Sequence, residues 1–126
     1  MEFLTDRRRV SGLGSAKEGV GHWWTHRITS VALIPLTPLF VFPFASSVGG
    51  GAGALQALYA QPFHALVGVL FVLVTAHHLM QGLQVVIEDY VHAPFARTAA
   101  LMGNTFFCAA TGLAGAFAIL KIAFAA

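Results

Sequence analysis

Residues 63–90 read FHALVGVLFVLVTAHHLMQGLQVVIEDY, and this stretch decides the fold. From Phe63 to Ile87 it carries no charge, and its strongly polar side chains are His64, His77, His78, Gln81 and Gln84. A helix of that length, rising about 1.5 Å per residue, crosses a hydrocarbon core roughly 30 Å thick. Pro62 suits the first turn of such a helix, where the amide proton it lacks would have no partner. The other end is marked by Glu88-Asp89-Tyr90-Val91-His92-Ala93-Pro94, whose proline disfavours helical backbone at the residue before it.

The same reading extends outward on both sides. Ile28 to Ser47 is an uncharged run of 20 residues, just enough for a second crossing. Pro35, Pro38 and Pro43 should kink it, and the carbonyls they free imply packing against neighbouring helices in a larger assembly. Trp23 and Trp24, just before the run, sit where an interfacial aromatic belt belongs. Ser46 to Gln61, with Gly49, Gly50, Gly51 and Gly53 and no charge, predicts a flexible connection. A third crossing covers Ala99 to Phe124. Ala110, Ala114 and Ala118 on one of its faces, and Thr111 with Gly115 on another, offer close approach to a neighbouring helix, while Lys121 can snorkel outward. The expected organisation is an all-α integral membrane protein. A polar segment, 1–27, precedes a membrane unit, 28–126, with spans near 28–47, 63–87 and 99–124.

Composition agrees. Of 126 residues, 57% are hydrophobic and 10% charged, and the mean hydropathy is +0.75, whereas soluble domains run at about 45–50% apolar and 25% charged. Arg7, Arg8, Arg9, Lys17 and Arg27 precede the first span, Arg97 lies in the second loop and Lys121 near the end. That asymmetry puts the N-terminus and the loop holding Asp89, Tyr90 and Arg97 on the cytoplasmic side, and the C-terminus on the periplasmic side. The basic segment meets anionic lipid, and with no base-reading motif beside it nucleic acid is not the expected partner. The apolar run is longer than a signal-peptide core, which predicts a retained helix; Glu2, Asp6 and Glu18 dilute any transit-peptide pattern. A bacterial inner membrane fits best. Cys108 is the one cysteine, so neither an internal disulfide nor a cysteine-only metal site can form.

His77 and His78 stand deep in the second span, where unpaired polar groups are costly, so they face protein or a cofactor. A neutral imidazole can ligate heme iron through one nitrogen while the other donates a hydrogen bond. The alternative is a hydrogen bond to an adjacent helix. Asp89 follows His78 by 11 residues, about 1100° or 20° beyond three turns, so the two share a face about 16.5 Å apart along the axis. From His77 the offset is about 120°, which makes His78 the better ligand candidate. Glu88 and Asp89 sit at a helix C-terminus, where the dipole disfavours negative charge, so something other than helix stability motivates them. Tyr90 could donate its phenolic proton to a carbonyl oxygen, with Asp89 orienting it or relaying protons. Their bland readings are an interfacial tyrosine and a solvated helix end.

Two segments carry a resemblance to a known family: Gly19-Val20-Gly21-His22-Trp23-Trp24-Thr25-His26-Arg27-Ile28-Thr29-Ser30, and His78 with Gly82 four residues on and Asp89-Tyr90 eleven and twelve on. The chain resembles the small hydrophobic membrane-anchor subunits of succinate dehydrogenase, respiratory complex II, in their bacterial form. The resemblance implies half of a heterodimeric helix bundle that holds one heme b with a second, cytochrome b-type anchor subunit. It implies an iron-sulfur subunit and a flavoprotein subunit as further partners, with electrons from succinate in the tricarboxylic acid cycle ending on ubiquinone. Carried over by position, His78 looks like the axial iron ligand, Tyr90 like the donor to the quinone carbonyl, Asp89 like its supporting acid, and Arg27 like the arginine near the heme propionates. His77 offers an alternative ligand beside His78, His22 and His26 could share the propionate role, and His64 reads as a packing or interfacial residue. An independent membrane cytochrome b and a heme-free structural anchor are the competing readings.

Overall fold

A computed structural model describes residues 5–12, 14 and 19–125, apart from the side chain of Ala52. Lys17, counted in the basic flank, lies outside the described residues, as do Glu2 and Glu18. Among the described residues all regular structure is helical: α1 (Asp6–Ser11), α2 (Val20–Val48), α3 (Gly51–Tyr59), α4 (Pro62–Tyr90) and α5 (Pro94–Phe124). Three of them, α2, α4 and α5, are long and apolar enough to cross a membrane, as the hydropathy pattern predicts.

Each span outruns its apolar stretch. Helix α2 begins at Val20, well before Ile28, and takes the tryptophans and Arg27 into its first turns. It continues unbroken through Pro35, Pro38 and Pro43. Pro62 and Pro94 occupy the first turns of α4 and α5, where a missing amide proton and a preset φ cost nothing.

The connection between the first two spans is not the flexible loop expected from its glycines. Gly51–Tyr59 is the helix α3, and only Gly51, at φ 72°, uses backbone freedom, to turn the chain into it. Ala54, Leu55, Gln56, Ala57 and Leu58 are strong helix formers. At its end Tyr59 is driven 96% into the protein by packing, 4% remaining exposed.

Helix α4 is the centre of a row: it packs against α2 on one side and α5 on the other, and α2 and α5 do not touch. Helix α3 contacts all three spans, which in antiparallel connection places it across the end of the row where α2 finishes and α4 starts. The α4–α5 seam is the tighter one. Asn104, Cys108, Gly112, Ala116 and Ile119 form its buried stripe, four residues apart but for the last step. A Cβ added at Gly112 would stand 2.9 Å from the Ala76 Cβ, and one at Gly115 would stand 2.7 Å from the Val72 Cγ1. Asn104 Nδ2 donates to the Met80 carbonyl at 2.8 Å, and the Cys108 thiol donates to Asn104 Oδ1 at 3.4 Å, so the polar side chains of the α5 stripe are paired. Of the two small-residue faces expected from sequence, the Gly115 side therefore meets α4, whereas Ala110, Ala114 and Ala118 stand exposed on the outside.

Candidate functional site

The two adjacent histidines of α4 go to different seams. His78 turns toward α2, where its Nδ1 lies 2.9 Å from the Thr29 hydroxyl and its ring stacks on His26 at 4.4 Å between centroids, with 25° between planes. His77 is exposed and lines a groove between α4 and α5 with Leu73, Ala76, Met80, Cys108 and Leu113. The 100° step of a helix separates them.

Antiparallel pairing of α2 and α4 extends the His78 face toward the ends of both helices that carry Val20 and Tyr90. Next along it is a groove of about 270 Å³ lined by His22, Trp23, His26, Arg27, Ser30 and Val85. Val85 is two turns from His78, on the same side of α4. The Arg27 guanidinium lies over the Trp23 ring at 5.5 Å, a cation–π contact that holds an exposed cation at the rim of the groove. His22 Nε2 is buried with no hydrogen-bond partner among the described residues. An orphaned ring nitrogen beside a guanidinium is an arrangement that an acidic group could satisfy.

Beyond the groove, α4 ends in Glu88, Asp89 and Tyr90. Gln84 Nε2 donates to Glu88 Oε1 at 3.0 Å, which steadies the one carboxylate along the helix. Asp89 is exposed and Tyr90 is 78% exposed, with the Tyr90 carbonyl 3.0 Å from His92 Nδ1. Both side chains are open to whatever covers this end of the row. His64 sits at the opposite end of α4, its ring edge-on to Phe63 at 5.5 Å, remote from the other histidines.

The structure thus brings together His78, Arg27, His22 and His26 along one seam, leaves Asp89 and Tyr90 at its mouth, and sets His77 and His64 apart. Reading the sequence alone missed Thr29. The residue is buried and its hydroxyl is the one direct polar link to His78 among the described residues, but that link depends on the register of α2 against α4, which a single sequence does not display.

Comparison with known proteins adds a family. The sequence model described as "Succinate dehydrogenase/Fumarate reductase transmembrane subunit" matches residues 4–119. A protein of Paracoccus denitrificans, named succinate dehydrogenase hydrophobic membrane anchor subunit, is 36% identical over 122 residues, 97% of this chain and 94% of its own length. One of the same name from Rickettsia typhi is 26% identical over 118 residues, 94% of each chain. A succinate dehydrogenase membrane anchor subunit of Reclinomonas americana is 28% identical over 80 residues, 60% of this chain and 66% of its own length. No solved structure matches.

Proposed function

This chain belongs to the succinate dehydrogenase/fumarate reductase transmembrane-subunit family, as a membrane anchor subunit of succinate dehydrogenase, and on that premise we propose that it binds heme b jointly with a second anchor subunit and forms part of a ubiquinone-reducing site. The observation that carries the reading is the α2–α4 seam, where a half-buried histidine, an arginine and an orphaned histidine nitrogen follow one another toward an exposed tyrosine and aspartate.

The residues fit the group. His78 offers a ring nitrogen to iron, Arg27 offers two parallel donors to a carboxylate, and His22 supplies the unsatisfied nitrogen beside it. Heme, when bound, supplies a one-electron carrier within the membrane. His78 has a single ring to give, so any further protein ligand to the iron would come from the partner subunit. At the mouth of the seam, Tyr90 donates its phenolic proton in a hydrogen bond to one quinone carbonyl oxygen, where negative charge develops on reduction. Asp89, beside it, orients the phenol and passes protons from the aqueous side. Reduction to quinol takes two electrons, drawn from succinate through the partner subunits, and two protons.

Orientation follows from charge. Six of the seven Lys and Arg residues lie on the side of the N-terminus and the α4–α5 loop, which the positive-inside rule makes cytoplasmic in a bacterial inner membrane. The partners are then a cytochrome b-type anchor subunit in the bilayer, with an iron-sulfur subunit and a flavoprotein subunit on the cytoplasmic face, where Tyr90 and Asp89 meet arriving electrons.

Affinity purification of the tagged chain from detergent extracts tests this. Recovery of a flavoprotein, an iron-sulfur protein and protoheme in one complex is the expected result, and a heme protein without them would make the chain an independent cytochrome. Within the complex, Tyr90→Phe should slow succinate-to-quinone transfer by about 100-fold, the scale of one lost donor at a developing oxyanion. Succinate oxidation by a soluble artificial acceptor should persist; equal loss in both assays would remove Tyr90 from the quinone site.

A further inference from the structure

The hydroxyl of Thr29 makes three close approaches, and its inventory of one proton and two lone pairs decides their direction. Oγ1 lies 3.0 Å from the Thr25 carbonyl oxygen, 3.0 Å from the His26 carbonyl oxygen and 2.9 Å from His78 Nδ1. Carbonyl oxygens only accept. If the hydroxyl gave its proton to Nδ1, two carbonyl oxygens would face it lone pair to lone pair at 3.0 Å, with no proton between. If it shares its proton with those carbonyls, as a helical threonine commonly does with the preceding turn, every atom is satisfied and a lone pair faces Nδ1. Thr29 itself is buried, so the cost of the first arrangement, an oxygen held against two carbonyl oxygens with no proton between, falls on a desolvated hydroxyl. His78 is therefore the donor, through Nδ1–H.

From this geometry we infer that Thr29 is a positioning residue that fixes His78 in the Nδ1–H tautomer and so presents Nε2 unprotonated as the metal-binding atom. The inference rests on the heme reading above and deepens it. Two contacts from α2 set the ring: the hydrogen bond fixes which nitrogen is free and its azimuth, and the stacked His26 ring at 4.4 Å limits tilting. Donation from Nδ1 also raises the basicity of the opposite nitrogen, which stabilises the oxidised metal and lowers its potential. Thr29 thereby ties the ligand on the middle span to the first span, so that α2 must be seated before His78 is set. Among the described residues, His77, on the other seam, has no such support.

The test uses the purified complex with Thr29→Val, which keeps the shape and removes the hydroxyl, Thr29→Ser, which restores it, and His78→Ala. The readouts are the heme midpoint potential from redox titration and heme retention on serial dilution. Thr29→Val should move the potential to more positive values and weaken retention about 10- to 100-fold, as loss of such a ligand-supporting bond does, and Thr29→Ser should return both toward wild type. Loss of heme in Thr29→Val with retention in Thr29→Ser supports the same conclusion. Wild-type behaviour of Thr29→Val, or equal damage in the valine and serine variants, would overturn the role of the hydroxyl. A low-spin heme that survives His78→Ala would overturn the ligand assignment on which the inference rests, whatever the threonine variants do.

Discussion

Tyr59 shows how far one side chain can be committed to packing. Its ring lies against α4 so closely that a Cβ at Gly68 would stand 3.1 Å from its Cε1. Burial disfavours the phenolate and pushes the Tyr59 pKa above the ordinary value near 10. Below that value both folded and unfolded chains hold the proton and stability is indifferent to pH. As pH rises through it the unfolded chain releases the proton first, so stability falls with pH. Thermal melting of the purified complex from pH 9 to 11 should show an alkaline decline that is shallower in Tyr59→Phe; identical slopes would mean that the phenol is not desolvated. Residues of this kind differ in how visible they are in a sequence. His78 stands out because histidine in an apolar run is costly, and its spacing to Asp89 follows from helix pitch alone. Thr29 does not stand out, since a threonine in a span satisfies itself on its own backbone, and its second role appears only once α2 and α4 are in register.

Among elements, α3 and α5 teach different lessons. Four glycines in five positions, with no charge, read as a loop, yet the helix formers from Ala54 to Leu58, with Tyr59 as an anchor, prevail. Tertiary contact with all three spans supplies what local propensity lacks. In α5 the sequence displays small residues on several faces, and a period alone does not say which one is used. Contact with α4 selects the face of Cys108, Gly112 and Ala116, with Gly115 at its edge. At Gly115, where the Val72 methyl would be only 2.7 Å from a Cβ, Gly115→Val should overpack the seam by about 1–3 kcal/mol. A lower melting temperature of the complex would register this. An unchanged one would mean that α5 is not seated on α4 in this register.

At the scale of the molecule, three spans in a row leave much apolar surface facing outward. In α2 only Thr29 and Ser47 are buried, while Ile28, Val31, Ile34, Val41 and Phe42 are exposed. In a bilayer part of that surface meets lipid, and a membrane anchor subunit also has an assembly to join, consistent with the three prolines whose freed carbonyls call for neighbours. Number of spans and class of fold were legible in composition and charge placement because the bilayer imposes length and hydropathy so strongly. The sidedness proposed from those charges has its own check: a reporter active only outside the cytoplasm, fused after Phe124, should be active, and the same reporter in the α4–α5 loop at Arg97 should be silent. The reverse pattern would invert the topology and move Tyr90 and Asp89 away from the arriving electrons.

We propose that the α2–α4 seam, through His78, holds heme iron. The most direct measurement is the low-temperature optical and electron paramagnetic resonance spectrum of the complex purified with His78→Ala, beside that with His77→Ala. The expected result is that the low-spin heme signal is lost or converted to high spin in the first and preserved in the second. A preserved signal in His78→Ala, with loss in His77→Ala, would contradict it and move the cofactor to the α4–α5 side.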